Sequence, residues 1–260
     1  MNRRSLDLDD PSTYQDVLDG VFTQEVLSRL IDDYTQSREL FDKIASDSCD
    51  WYPDDPDRHF VESLQNEVKK VLLNKYSYIV AYHSSRVVNQ DKYLNTGIKI
   101  ASKDFLHNLV KGIVELGDDV ERALCTADET YQTYHNTISM YISAEYAGID
   151  YLKNGSLYLR KVASNLPNGK GDKISDFIKS GDPVFIKCKV LMQWLLDSRY
   201  VGAPRSPQLL YIAAILRRYI HRISRISKRY EEVEGFILLR SPIPPTDILG
   251  IEPASKCWLW

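Results

Sequence analysis

The chain has 260 residues, of which 43% are hydrophobic and 27% are charged, and its formal net charge at pH 7 is −3. This length and composition predict one or two globular domains, and they exclude a disordered chain, a collagen-like chain and a small disulfide scaffold. The sequence has no apolar run long enough to cross a bilayer, no apolar stretch at its start and no CxxC pair among its four cysteines. We therefore expect no signal peptide, a reduced cytoplasmic setting, no membrane association and no zinc site.

Charge is distributed unevenly along the chain. Residues 1–57 contain 15 acidic and 5 basic side chains, a net charge of −10, whereas the other 203 residues contain 28 basic and 21 acidic side chains, a net charge of +7. This asymmetry predicts an acidic N-terminal helical unit at 1–57 that masks the basic remainder, binds a partner protein, or is a solvated helix pair. The turn-rich residues 47–58 predict the boundary with a main domain at 58–260.

The hydrophobic periodicity predicts helices and short strands in an order typical of an α+β fold. Apolar residues spaced by three and four predict helices at 12–45, 60–74, 102–116 and 207–231. Runs of β-branched and aromatic residues predict strands at 76–82, 138–142, 157–163, 183–191 and 236–239, and a flexible turn is predicted at 168–172. The expected architecture is a mixed or antiparallel split β-sheet with flanking helices and an N-terminal helical unit.

A polar cluster follows the first predicted strand. His83 comes at the end of an apolar and aromatic run and is followed by Ser84, Ser85 and Arg86. An imidazole held by a rigid strand can donate to a ribose hydroxyl or act as a base, and the two serines can hydrogen-bond an amide. The alternative is a histidine and a serine turn that only cap the end of the strand.

The segment Tyr82–Arg86, followed after a gap by the turn Leu94-Asn-Thr-Gly-Ile98, resembles the first strand of the ADP-ribosyltransferase superfamily. The similarity is to the branch that contains diphtheria toxin, the poly(ADP-ribose) polymerases and related bacterial proteins, and it extends over about residues 76–250. It implies that NAD is the cofactor and that His83 holds it by the adenosine-side ribose. It also implies that the backbone of Ser84, which replaces the family's usual glycine, binds the nicotinamide amide, with Ser85 and Arg86 beside it.

The resemblance implies two tyrosines and a carboxylate as the rest of the site. Tyr141 lies in a region similar to the family's second strand. Tyr146 and Tyr151 are both candidates for stacking on the nicotinamide ring, and Tyr151 is preferred, whereas Leu157 replaces a glutamate of bacterial members. Cleavage of the glycosidic bond of NAD passes through an oxocarbenium-like state that a carboxylate near the ribose stabilises. Glu234 is the candidate, and a solvated helix end is the alternative explanation for its acidic neighbours. The predicted catalytic residues are therefore His83, Tyr151 and Glu234.

Four arginines on the last predicted helix form a basic stripe. Arg218, Arg222, Arg225 and Arg229 share one helical face, and a basic stripe near tyrosines is typical of nucleic-acid binding. The alternatives are an anionic membrane surface, docking of the acidic N-terminal unit, and a plain amphipathic surface helix.

The function that these features predict is transfer of ADP-ribose from NAD to a macromolecular acceptor, which is RNA, DNA or protein. Similar bacterial proteins imply a role as a toxin or defence effector. The alternative is a catalytically inactive protein that binds a nucleotide or nucleic acid. The apolar C-terminal residues Cys257-Trp-Leu-Trp260 favour insertion into the core or contact with a protein partner.

Overall fold

The computed structural model describes residues 4–37, 39–40, 43, 55–113, 125, 128, 137–144, 162–166, 169–195, 219 and 236–254. The helices of these residues are α1 (Gln15–Asp19), α2 (Gln24–Gln36), α3 (Arg58–Lys75), α4 (Asp91–Thr96), α5 (Lys103–Ile113), α6 (Lys170–Lys179) and α7 (Met192–Leu195). The strands are β1 (Arg4–Leu6), β2 (Tyr76–Val87), β3 (Ile138–Tyr141), β4 (Asp182–Leu191), β5 (Phe236–Leu239) and β6 (Ile248–Pro253). Short 3-10 helices cover Pro11–Thr13 and Pro245–Asp247.

The strands form one sheet with β2 at its centre. The strand order is β5-β3-β2-β4-β6, and β1 also pairs with β2. β2 is antiparallel to β3, and β4 is antiparallel to β6, whereas β1 runs parallel to β2. The predicted α+β class is confirmed, and β1 makes the sheet mixed rather than purely antiparallel.

The chain divides into two compact units, residues 1–81 with 189–237 and residues 82–188 with 238–260. In the first unit, the N-terminal segment supplies a large part of the core, with Leu6, Leu8, Tyr14, Leu18 and Phe22 each at most 5% exposed. Burial of these side chains is the main source of stability for this segment, at roughly 1.5–3 kcal/mol for each large apolar residue.

The predicted helix 207–231 is represented in the described residues by Tyr219, which is helical and fully buried. Its ring stacks on Phe22 with the ring centroids 5.1 Å apart, and its hydroxyl donates a hydrogen bond to the carboxylate of Asp19. Burial and this carboxylate both raise the pKa of Tyr219. The N-terminal segment, residues 4–22, therefore packs against the buried ring of Tyr219.

In the second unit, backbone contacts fix the turn that follows α4. The amide of Gly97 donates to the carbonyl of Tyr93 at 2.9 Å, and Ile98 and Ile243 exchange two backbone hydrogen bonds of 2.9 Å. Gly97 has a φ of +72°, and a Cβ at this position would lie 2.1 Å from the carbonyl oxygen of Ile243. Only glycine permits both the left-handed backbone and this close approach.

Several predicted elements agree with the structure. The helix predicted at 60–74 is α3, and the helix predicted at 102–116 contains α5. The strands predicted at 138–142, 183–191 and 236–239 correspond to β3, β4 and β5.

Other elements differ from the predictions. The helix predicted at 12–45 is interrupted after α1, and α2 begins after Thr23, whose side chain accepts a hydrogen bond from the amide of Val26. The strand predicted at 157–163 is wrong at Val162 and Ala163, which are helical. The turn predicted at 168–172 is wrong from Lys170 onward, where α6 begins. At α2 the capping signal of Thr23 outweighed the continuous apolar pattern.

Two strands were not predicted. β1 has three residues, and β6 follows a proline-rich turn. Each gains its hydrogen bonds from a distant partner strand, so neither leaves a strong local pattern in the sequence.

Candidate functional site

The predicted polar cluster lies inside β2 and not at its end. The aromatic and β-branched residues from Tyr76 to Tyr82 begin the strand as predicted, but the strand continues through His83 and Arg86 to Val87. Hydrogen bonding to neighbouring strands compensates the lower strand propensity of the polar residues. A rigid, paired backbone therefore holds the imidazole of His83.

His83 has a defined tautomer. Its Nδ1 lies 2.8 Å from the backbone oxygen of Ser139, so Nδ1 carries the proton and donates it to that oxygen. Burial lowers the pKa of His83, and the hydrogen bond to Ser139 offsets this effect only in part. The neutral ring therefore has an unprotonated Nε2 that can accept a hydrogen bond, and the residue keeps part of its surface exposed.

The strand register divides the predicted cofactor-binding residues between two faces of the sheet. Tyr82 is directly opposite Tyr141 on β3, and residues opposite one another in an antiparallel pair share a face. Because side chains alternate along a strand, Ser84 and Arg86 also lie on the Tyr82 face. His83 and Ser85 lie on the other face, so the structure does not bring Tyr141 together with His83.

Ser84 is 3% exposed, and its Oγ has no hydrogen-bond partner among the described residues. The side chain projects away from the face that carries His83, as the alternation requires. The Ser84 side chain therefore does not lie beside the imidazole of His83.

Arg86 is used within the fold. Its Nη1 donates to the backbone oxygens of Lys179 and Gly181, at 3.0 and 3.2 Å. These bonds attach the turn between α6 and β4 to the end of β2. On the same face, the ammonium group of Lys187 lies 5.6 Å from the centre of the Tyr82 ring.

Tyr93, which was not among the predicted site residues, joins this site through a hydrogen bond with Ser85. Ser85 is 5% exposed, and its Oγ lies 2.9 Å from the hydroxyl of Tyr93 on α4. Tyr93 is partly exposed. In the sequence, Tyr93 is an aromatic residue shortly before the Gly97 turn. This position does not show which strand residue the tyrosine contacts.

A second polar cluster joins α5 to Asp128. The carboxylate of Asp128 contacts His107 Nε2 at 2.5 Å and Lys103 Nζ at 2.8 Å. Hydrogen bonding to Lys103 is the main reason why the pKa of Asp128 is lowered. Because the lysine already compensates this carboxylate, we interpret the cluster as a link between helical segments.

The remaining predicted site residues lie outside the described part of the chain. They are Tyr151, Glu234, Arg218, Arg222, Arg225 and Arg229. Within the described ranges, no group of three His, Cys, Asp or Glu side chains could hold a metal ion. A search of those same ranges for a helix of membrane-spanning length and hydropathy also finds none.

Comparison with protein-family models, with curated proteins and with solved structures finds no match for this chain.

The geometry defines a candidate site of three parts. They are His83 on the partly exposed face of β2, the Ser85–Tyr93 hydroxyl pair on the same face, and the buried Ser84 on the opposite face.

Proposed function

We propose that this chain binds NAD through the His83 face of β2 and transfers ADP-ribose to a macromolecular acceptor. The observation that carries the proposal is the hydrogen bond between His83 Nδ1 and the Ser139 oxygen. This bond fixes the tautomer, so Nε2 is an acceptor with a defined position. A ribose hydroxyl is a neutral donor that matches it, whereas a carboxylate or a phosphate oxygen is not.

The residues present fit the ribose of NAD at this face. The imidazole offers one acceptor, and the Ser85–Tyr93 pair offers hydroxyls that both donate and accept. When bound, NAD supplies the ADP-ribosyl group through its glycosidic bond to nicotinamide. Tyr151 and Glu234 keep the roles that the resemblance implies, stacking on nicotinamide and stabilising charge near the ribose.

A matched pair of variants tests the role of His83 Nε2. In His83→Asn the amide nitrogen can replace Nδ1 and keep the bond to Ser139, but no group reaches the Nε2 position. In His83→Gln the side-chain oxygen can reach that position. We expect the asparagine variant to bind NAD about tenfold more weakly, the typical effect of one lost hydrogen bond, and the glutamine variant to recover part of the affinity.

The activity test measures nicotinamide release and the mass of the acceptor. Purified wild-type protein should release nicotinamide from NAD and add one ADP-ribosyl group to itself, to RNA, to DNA or to a protein. His83→Asn should lose this activity while keeping the wild-type circular dichroism spectrum. If the asparagine variant labelled an acceptor as efficiently as the wild type, the assignment of the site would be wrong.

A catalytically inactive nucleotide-binding protein is the second candidate function. Two points favour it: Tyr141 lies on the face opposite His83, and Leu157 stands where the resemblance to bacterial members implies a glutamate. Under this alternative, NAD binds and depends on His83, but no nicotinamide is released. The same two assays therefore separate a binding protein from a transferase.

The acceptor is proposed to bind the basic stripe of residues 218, 222, 225 and 229. If the acidic N-terminal segment masks this stripe, the test must neutralise charge and leave the segment in place, because its side chains form part of the core. Glu25→Gln with Asp32→Asn changes two exposed acidic side chains. Under masking, these changes should strengthen salt-dependent RNA binding, whereas unchanged binding would argue against it.

A further inference from the structure

The Ser85–Tyr93 hydroxyl pair lies beside His83 on the same face of β2. Residues two apart on a strand are about 6.6 Å apart along it, given a rise of about 3.3 Å per residue. Ser85 Oγ and the Tyr93 hydroxyl are 2.9 Å apart. The tyrosine hydroxyl therefore lies next to the strand position that is two residues beyond His83, on the same face of β2.

Tyr93 is held in place from two directions. Its backbone oxygen accepts a hydrogen bond from Gly97, whose neighbour Ile98 is bound to Ile243 by two backbone hydrogen bonds of 2.9 Å. Its hydroxyl is bound to Ser85, which is buried. A side chain fixed at both ends loses little conformational entropy when it binds a ligand.

The chemistry of the pair complements that of His83. The neutral imidazole offers only an acceptor at Nε2, whereas the two hydroxyls can each donate and accept. A vicinal diol has the matching pattern: one hydroxyl donates to Nε2, and the other exchanges a hydrogen bond with a hydroxyl of the protein. A carboxylate has no proton to donate to Nε2, so it matches this face poorly.

We propose that two neighbouring hydroxyls of one ribose bind this face. The first donates to His83 Nε2, the second forms a hydrogen bond with the hydroxyl of Tyr93, and Ser85 positions Tyr93. This inference rests on the proposed function, because it takes NAD as the ligand. It names a contact that the sequence resemblance did not supply. It also assigns the specificity of this face to ribose and not to a phosphate or an acid.

The test combines protein variants with ligand analogues. The binding constants of NAD and of analogues that lack the 2′- or the 3′-hydroxyl of the adenosine ribose are measured by calorimetry. The proteins are the wild type, Tyr93→Phe, Ser85→Ala and the control Tyr78→Phe. The control changes a tyrosine that is also partly exposed but lies on β2. Near-ultraviolet circular dichroism checks that each variant is folded.

We expect Tyr93→Phe to weaken NAD binding about tenfold, as for one hydrogen bond. The wild type should bind one of the two analogues about tenfold more weakly than it binds NAD. Tyr93→Phe should not weaken the binding of that analogue any further. Ser85→Ala should weaken NAD binding by a smaller factor, because Tyr93 keeps its hydroxyl but loses its fixed position. Tyr78→Phe should bind every ligand as the wild type does.

Other outcomes overturn the inference, and they distinguish it from the proposed function. If Tyr93→Phe binds NAD like the wild type while His83→Asn does not, Tyr93 is not a ligand contact and the proposed function stands. If Tyr93→Phe weakens NAD and both analogues equally, its role is structural and the inference is wrong. If His83→Asn binds NAD as the wild type does, or if the wild type binds no NAD, both the inference and the proposed function fail.

Discussion

Replacing Ser84 by alanine should increase the stability of the protein. The Ser84 hydroxyl is 3% exposed and has no hydrogen-bond partner among the described residues. A buried hydroxyl without a partner costs about 1–3 kcal/mol, and loss of the oxygen's dispersion contacts, at about 0.1–0.2 kcal/mol each, cancels part of this gain. We expect Ser84→Ala to raise the free energy of unfolding by about 1 kcal/mol, with an increase in Tm of about 2–4 °C.

The adjacent residue provides a control of opposite sign. Ser85 is 5% exposed, close to the value for Ser84, but its hydroxyl is bound to Tyr93. Ser85→Ala should therefore lower the free energy of unfolding by about 1 kcal/mol. Urea denaturation monitored by circular dichroism measures both variants under the same conditions.

Ser84→Gly introduces the glycine that the sequence resemblance to ADP-ribosyltransferases implies for this position. Glycine in a strand costs about 0.5–1 kcal/mol relative to alanine, so this variant should be about as stable as the wild type. Its NAD affinity should stay within about threefold of the wild-type value, because the Ser84 side chain projects from the opposite face of β2. A destabilised Ser84→Ala variant, or a tenfold gain in NAD affinity for Ser84→Gly, would refute the reasoning.

Three further predictions concern residues inside one or the other of the two units. Gly97→Ala places a Cβ 2.1 Å from a carbonyl oxygen at a positive φ, so it should lower the free energy of unfolding, measured by urea denaturation, by at least about 2 kcal/mol. Gly250 has open space around it, so the control Gly250→Ala should not destabilise the protein. Equal losses of stability in the two variants would contradict this reasoning. Burial raises the pKa of Cys188 to about 12, so at pH 8 a thiol reagent should modify exposed Cys125 in the folded protein and leave Cys188 unmodified, as peptide mass spectrometry would show. Tyr219→Phe removes a hydrogen bond to a carboxylate and should lower Tm by about 2–4 °C; an unchanged Tm would show that this bond does not stabilise the N-terminal segment.

The sequence was informative where the local pattern is strong. The β-branched and aromatic residues after Tyr76 predict the start of β2, and the alternating side chains from Val184 to Leu191 predict β4 almost to its ends. The same reasoning places α3, because its apolar residues recur at helical spacing and are buried along one side. These elements depend mainly on their own residues.

The candidate site depended on information that is not local. His83 and its polar neighbours predict the end of a strand, but β2 continues because neighbouring strands complete its hydrogen bonds. The sequence resemblance implies that Tyr141 and His83 belong to one site, yet the register opposite Tyr82 assigns Tyr141 to the other face. Tyr93 contacts Ser85 through a turn that Gly97 and the distant residue Ile243 fix, so no local pattern of the sequence reveals that contact.

The tautomer and titration of His83 provide the most direct test of the central claim. Nitrogen NMR of the imidazole, assigned by comparison with His83→Gln, follows both ring nitrogens as the pH is lowered and as NAD is added. Because burial holds the folded-state pKa of His83 below its ordinary value of about 6.5, the ring should be mostly neutral at pH 6.5. The stability that it contributes should be lost as the pH falls from about 6.5 through that lower pKa. With NAD present at pH 7.5, the Nε2 signal should shift while Nδ1 remains protonated. A ring that is protonated on both nitrogens at pH 7.5, or an Nε2 signal that NAD does not change, would contradict the account.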